Sequence, residues 1–353
     1  MAEMRRDPLT DTYVLFAESR ADRPHEFQSP QPAVRRERCP FCLGNEQLTP
    51  DELASYPPLM DRADLPWQVR VVPNKYPAVF GRAARKDEDP SAASDPDSSF
   101  MTAPSATDSA WWSQPERGGV HEVIIESPLH LRSFTDLSEA EIAFVMRVYR
   151  DRLVAAEQDP DLAYALLFKN NGARAGASLE HIHSQLLALP FVPAAVQYEL
   201  SKTADYAVLH GVGPLVDMIQ DDLASGERIV EADEWFVLWC PYASRFPYET
   251  WIVPRARTSR FEDVTEAELS AAANWLRRLL LAYETLDAKL AYNFWIHSAP
   301  FRQSHPHFRW RLEVTPRATS LAGFELASGC FINPVFPEQA AQQLRELMFD
   351  QPS

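Results

Sequence analysis

The sequence predicts an α+β protein built from one unit used twice, each unit an antiparallel sheet with a packed helix. Three observations support this. A strand–helix–strand–strand series runs in the same order through both halves of the chain. Proline is abundant (29) and glycine sparse (11), which suits strands joined by long, rigid loops. Neither GxGxxG nor GxxxxGK followed by Ser or Thr occurs, so the glycine-loop phosphate cradles of doubly wound and P-loop folds have no support.

The elements follow in chain order. Residues 82–118 are rich in Ser, Ala, Asp and Pro and predict a mobile insertion or a long lid. Trp111-Trp112 within it is unusual for a linker and suits a docked segment. EVIIE at 122–126 has a strand pattern, and Phe134-Thr-Asp-Leu-Ser-Glu-Ala-Glu-Ile opens a helix to about Val154. ETWIV at 249–253 is the second such strand, and Phe261-Glu-Asp-Val-Thr-Glu-Ala-Glu-Leu opens a helix to about Leu286. Each helix begins with Ser or Thr followed by acidic residues in the first turn, an N-terminal signature. Apolar strands follow at Tyr164–Lys169 and Tyr292–His297, then HIHSQLLALP at 181–190 and HFRWRLEVTP at 307–316. In that last pair His181 matches His307, Leu186 matches Leu312 and Pro190 matches Pro316. A register two residues earlier pairs His181 and His183 with His305 and His307, and a shift of two keeps each side chain on its face. The boundary between halves falls between residues 195 and 196, with residues 1–195 the catalytic half and 196–353 the supporting half.

The chain has 353 residues, and 34 basic against 50 acidic side chains leave a net charge of −16. A general nucleic-acid or anionic-membrane binder is therefore disfavoured. No apolar run approaches 18 residues and MAEMRRDPLTDTYVLF lacks a signal-peptide apolar core, so the expectation is a cytoplasmic protein without a membrane partner. Four cysteines do not make a disulfide scaffold in a chain of this size, and Cys240 and Cys330 stand alone.

Cys39-Pro-Phe-Cys42 has the half-site spacing of tetrahedral zinc, since thiolates two residues apart on a tight turn converge on one ion. No second CxxC follows, so the remaining ligands must be histidine or carboxylate; His130 in SPLH and His181 are the candidates. Closed by four protein ligands, such a site is structural. On an extended strand His181, His183 and Gln185 share a face, about 6–7 Å apart. A histidine whose Nδ1–H is held by a backbone carbonyl presents Nε2 as a lone pair. That imidazole can attack an activated phosphorus, and a neighbouring Gln amide can hold a nonbridging phosphoryl oxygen. His183 with Gln185 fits that arrangement, whereas the second half carries guanidinium groups, Arg309 and Arg311, in the matching stretch.

HIHSQ preceded by FKNNGARAGASLE resembles the galactose-1-phosphate uridylyltransferases, the nucleotide-transferase branch of the histidine-triad superfamily. The resemblance covers nearly the whole chain. DPLTDTYVLFAESRADRP resembles the family's N-terminal segment, CPFC its zinc half-site, VRVVPNKYPA its nucleotide-binding strand, SPLH the segment with a third zinc ligand, and AGFEL its hexose-binding segment. It implies duplicated histidine-triad-like units, zinc on Cys39, Cys42, His130 and His181, His183 as the nucleophile that becomes uridylylated, and Gln185 as its phosphoryl partner. Asn74, Asn170, Gly176 and Ser178 would line the nucleotide and phosphate pocket. Arg20 and Arg23 would approach the substrate from a neighbouring subunit, and Phe324 with Glu325 would hold the hexose. A homodimer with composite active sites is implied, as is a second metal site on Glu199, His297, His305 and His307. Two departures stand out: Lys75 occupies a position where many relatives have Asp, and the loop between His297 and His305 is short. The expected reaction converts UDP-glucose and galactose 1-phosphate to glucose 1-phosphate and UDP-galactose. GFELASGCFINPVFPE also resembles a related branch, the ADP-glucose phosphorylases, which implies adenylyl transfer to phosphate as the alternative. A non-catalytic zinc or nucleotide-binding scaffold is disfavoured because His183 and Gln185 are both intact.

Overall fold

A computed structural model describes residues 2–17, 39–79 and 118–349. The insertion, with Trp111 and Trp112, lies outside the described residues apart from Gly118. Thirteen strands are described: β1 (Ala2–Arg6), β2 (Tyr13–Ala17), β3 (Ala54–Tyr56), β4 (Val69–Pro73), β5 (Val120–Ile125), β6 (Tyr164–Asn171), β7 (His183–Leu189), β8 (Ile229–Ala232), β9 (Phe236–Trp239), β10 (Thr250–Pro254), β11 (Tyr292–His297), β12 (Arg311–Pro316) and β13 (Phe331–Asn333). The helices are α1 (Glu139–Glu157), α2 (Ala194–His210), α3 (Pro214–Ser225), α4 (Glu266–Leu286), α5 (Gly323–Ser328) and α6 (Pro337–Phe349). Among them no helix is long and apolar enough to cross a membrane.

The duplication is visible in the strand order. Ten strands form one antiparallel sheet, β3-β4-β5-β7-β6-β11-β12-β10-β9-β8. Read outward from its middle, each half has the same series, so the two units meet edge to edge where β6 pairs β11, Tyr292 opposite Asn171 and Ile296 opposite Leu167. Each unit thereby covers the edge strand of the other, which would otherwise expose unpaired backbone groups. A smaller sheet, β1-β2-β13, has its last pair parallel.

The two helices expected from the sequence begin as it indicates. Ser138 accepts from the Glu141 backbone N–H and Thr265 from that of Glu268, each glutamate reaching back in a capping box. The first helix continues to Glu157 rather than Val154; the second ends at Leu286. Both lie on one face of the sheet and share one core. Ile142, Met146 and Tyr149 of α1, and Leu276, Leu279 and Leu280 of α4, pack with Leu167, Leu186, Leu312 and Val314 of the strands. Full burial of one such side chain is worth about 1.5–3 kcal/mol, so this shared core makes the two halves interdependent.

Alternation along the strands sends other residues to the opposite face. On β7, Leu186 and Ala188 join the helix-side core, leaving His183 and Gln185 on the other face. On β12, Leu312 and Val314 do the same, leaving Arg311 and Glu313 opposite. In the first half this second face is covered by the CPFC turn, where Phe41 packs with Trp67, Val72, Val123 and Ile125. In the second half α3 and Leu9 cover it, over Trp239, Trp251 and Val253. The strands are shorter than expected at their starts: β7 begins at His183, not His181, and β12 at Arg311, not His307. His181 and His307 therefore stand outside the alternation.

Candidate active site and metal centre

Cys39, Cys42, His130 and His181 come together, their four ligand atoms within 4.8 Å of one another. Local backbone bonds assemble them. The Cys42 N–H donates to the Cys39 carbonyl at 3.3 Å, Gly44 relaxes the turn at φ +87°, and the Leu43 N–H ties the turn to the Pro128 carbonyl at 2.9 Å. The Ile182 N–H donates to the Leu131 carbonyl at 3.1 Å, which sets His181 beside the His130 loop. Both thiols stand 3.6 Å from His181 Nδ1, and Cys42 Sγ is 3.1 Å from His130 Nδ1. Tetrahedral zinc with bonds of about 2.3 Å to sulfur and about 2.0 Å to nitrogen places such atoms roughly 3.5 Å apart. His181 Nε2 faces the Ser127 carbonyl at 2.8 Å, the outer bond that leaves Nδ1 for a metal. Burial pushes the His181 imidazole down to about 4, keeping it neutral. The donor set, two thiols and two imidazoles, fits zinc.

His183 is two residues on and does something different. Its Nδ1 donates to the His181 carbonyl at 2.8 Å, which leaves Nε2 as the lone-pair nitrogen. Burial holds its pKa below the ordinary value, and the Phe41 ring, 5.2 Å away, packs against the imidazole. Behind β7 lies a buried polar network. Lys169 pairs with Glu126 and donates to the His183 carbonyl at 3.1 Å, while Tyr149 and Ser184 also bond to Glu126. The zinc-type cluster and this network grip the backbone of residues 181–184 from two sides. The sequence reading missed Phe41, Lys169 and Glu126; Lys169 sits in a β-pattern run, where a lone lysine facing a core was the available signal.

A cavity of about 660 Å³ opens on this face, within the size range of small-ligand sites. Its lining includes Phe41, Asn74, Lys75, Ser178, His183 and Gln185. Gln185 Oε1 lies 2.8 Å from His121 Nε2 and 3.4 Å from Asn74 Nδ2. Asn170 and Gly176 are not among the residues that line the cavity: Asn170 Oδ1 accepts from Asn293 at 2.7 Å, and Asn293 also donates to the Ala175 carbonyl at 2.8 Å. Gly176 has a φ of +88°, a backbone conformation that glycine adopts without strain. Phe324 and Glu325 lie on α5 and are not among the cavity's lining residues, with Phe324 46% exposed and Glu325 accepting from the Ala322 N–H. Arg20 and Arg23 lie outside the described residues.

The second expected metal set is not assembled. His297 Nε2 meets Glu199 at 2.9 Å, but Arg311 fills the rest of that carboxylate, its two terminal nitrogens at 2.8 and 3.1 Å. Glu199, His297, His305 and His307 do not form a metal-ligand group among the described residues, where the Cys39 cluster alone does. His305 and His307 sit in the turn before β12 rather than on the strand, which removes them from the face carrying Glu313 and Arg311. The residues present do not fit a metal there, because a guanidinium already supplies the positive charge.

A family model described as galactose-1-phosphate uridyl transferase, N-terminal domain, matches residues 1–193, and a domain of unknown function matches residues 130–351. The ADP-glucose phosphorylase of Arabidopsis thaliana is 33% identical over 98% of this chain and 93% of its own. The galactose-1-phosphate uridylyltransferase of Thermotoga maritima is 27% identical over 98% of each. A crystal structure of an ADP-glucose phosphorylase from Arabidopsis thaliana with bound ADP-glucose superposes with a TM-score of 0.79 at 30% identity, covering 98% of this chain and 99% of that one. A solved uridylyltransferase at 24% identity, TM-score 0.72, shares the fold. With a family model spanning more than half its length and a relative a third identical along nearly all of it, the chain belongs to the galactose-1-phosphate uridyl transferase family of nucleotidyltransferases.

Proposed function

We propose that the protein transfers a nucleotidyl group from a nucleoside diphosphate sugar through a covalent His183 intermediate, with ADP-glucose as donor and inorganic phosphate as acceptor. The observation that carries the chemistry is His183: Nδ1 held at 2.8 Å by the His181 carbonyl, on the wall of the 660 Å³ cavity beside Gln185. Nε2 attacks the α-phosphorus, an N–P bond forms, and the bond to the bridging oxygen breaks, releasing glucose 1-phosphate. A phosphate oxygen then attacks the same phosphorus, the N–P bond breaks, and ADP leaves with His183 restored neutral. Splitting one transfer into two keeps each nucleophile positioned. Asn74, Ser178 and Lys75, which line the cavity, would face the nucleotide, and the Gln185 amide would hold a nonbridging oxygen. Zinc on Cys39, Cys42, His130 and His181 would be structural, fixing where β7 begins. Arg20 and Arg23 would act across a homodimer, and Phe324 with Glu325 would hold the hexose.

The adenylyl reading is supported by the phosphorylase relative, 33% identical against 27% for the uridylyltransferase. The second reading is uridylyl exchange between UDP-glucose and galactose 1-phosphate, favoured by full-length uridylyltransferase relatives. The test is to label the protein with ADP-glucose or UDP-glucose carrying a radioactive α-phosphate, then chase with phosphate, galactose 1-phosphate or buffer. Labelling by ADP-glucose and fast release by phosphate supports the phosphorylase. Labelling by UDP-glucose and release only by galactose 1-phosphate replaces it with the exchange reaction, and rapid release in buffer makes the protein a hydrolase.

A further inference from the structure

His121 does not line the cavity, yet it touches the residue that does. The Ala78 backbone N–H donates to His121 Nδ1 at 3.0 Å. A backbone amide is only ever a donor, so Nδ1 is the acceptor nitrogen and the proton of the neutral ring sits on Nε2. Nε2–H must then donate to an oxygen, and 2.8 Å away is Gln185 Oε1. Asn74 repeats the logic. Its Oδ1 accepts from the Tyr76 N–H at 2.9 Å, which identifies Nδ2 as its amide nitrogen, and Nδ2 lies 3.4 Å from the same Gln185 oxygen. Its 3.1 Å approach to His121 Nε2 is then a contact between two donors, not a bond. Two backbone N–H groups of the 74–79 turn thus orient two side chains, and both point hydrogens at Gln185 Oε1.

We infer that His121 is a positioning residue that fixes which way the Gln185 amide faces, so that its NH2 and not its carbonyl is presented to the phosphoryl group. An amide has two nearly isosteric orientations with opposite electrostatic sense. With the carbonyl turned toward the transferring group, its negative end would oppose the charge that grows on the nonbridging oxygens; with the NH2 turned there, it stabilises that charge. His121 on β5 holds the productive orientation from across the strand pair, outside the cavity. The inference rests on the proposed role of His183 and Gln185, and it adds a residue that none of the sequence motifs marked.

Three variants separate this from a packing role. His121→Gln keeps a donor near the Nε2 position and an acceptor for the Ala78 N–H, so single-turnover labelling of His183 should stay within about threefold of wild type. His121→Ala leaves Gln185 free to turn and should slow labelling about tenfold. His121→Glu replaces the donor with an acceptor, pulls the Gln185 NH2 away from the substrate, and should slow labelling roughly 10²-fold, the size of losing a transition-state donor. KM for the nucleotide sugar should change far less than the labelling rate. In a Gln185→Ala background, His121→Ala should add nothing. Equal rates for the Gln and Glu variants, or additive losses in the double variant, would overturn the inference. A readout free of activity is the imidazole nitrogen spectrum of histidine-labelled wild type, where His121 should be the Nε2–H tautomer. The Nδ1–H tautomer overturns the inference even if wild type proves not to be labelled, an outcome that would by itself sink only the transferase reading.

Discussion

Arg311 meets Glu199 with both terminal nitrogens, at 2.8 and 3.1 Å, in the interior of the second half. Its Nε also reaches Glu313 at 2.7 Å, and Arg245 closes the group by bonding both Glu313 and Glu249. The matching face of the first half carries His183 and Gln185 beside an open cavity. In this duplicated fold the same strand face lines a cavity in one unit and carries a packed ionic cluster in the other. Paired, hydrogen-bonded charges are what burial tolerates.

Metal analysis of the purified protein should therefore return about one zinc per chain, a number set by one closed Cys2His2 site. Two equivalents, with the second lost on Glu199→Gln, would show that Arg311 gives way to an ion.

Breaking the buried pair should be costly and repairable. Arg311→Met leaves Glu199 with His297 alone and should destabilise the protein by about 3–5 kcal/mol, while Glu199→Gln combined with Arg311→Met should recover most of that. Burial by itself raises the Glu199 carboxyl, but Arg311 and His297 hold it well below the usual range. A depressed carboxylate contributes stability above its unfolded value and loses it as pH falls through the folded one. The stability gap between wild type and Glu199→Gln should stay constant from pH 7 to pH 5 and shrink below about pH 4.3. A gap that is unchanged at pH 3 would remove Glu199 from the acid response.

His183→Ala should abolish covalent labelling and lower turnover by several orders of magnitude, as removal of a nucleophile does, with the melting temperature close to wild type. Near-normal turnover in the purified variant would refute the assignment. His183→Gly with added imidazole should regain part of the transfer.

Cys39→Ser or Cys42→Ser should lower both metal content and melting temperature, because structural zinc contributes its binding energy to folding. Activity should fall in step with folded fraction, not before it. A zinc-free wild type with unchanged melting temperature would contradict the structural role.

Gln185→Ala should slow both half-reactions by about 10²–10³-fold while binding of the nucleotide sugar weakens far less. Rapid-quench measurement of labelled enzyme, forming and decaying, separates the two. A loss confined to binding would make Gln185 a ground-state contact.

Much of this molecule is local information. The capped helix starts at Ser138 and Thr265, the Cys39–Cys42 half-site, and the even spacing of His183 and Gln185 all depend on residues within a few positions of each other, where side-chain chemistry and backbone periodicity act directly. The duplication was legible for the same reason, as two copies of one local pattern. Tertiary structure alone decided which pairs meet across distance. His130 joins Cys42 over 88 residues, Arg311 reaches Glu199 over 112, and His121 finds Gln185 over 64. Nothing near Glu199 in the sequence says that its partner will be Arg311 rather than a metal ion, because the choice depends on the register of β12 and on a turn that takes His305 and His307 off the strand. His121 likewise meets its partner only through the pairing of β5 with β7, which places its ring against the Gln185 amide. Sequence periodicity determines which face of a strand a side chain occupies; only the order of strands in the sheet determines what it meets there.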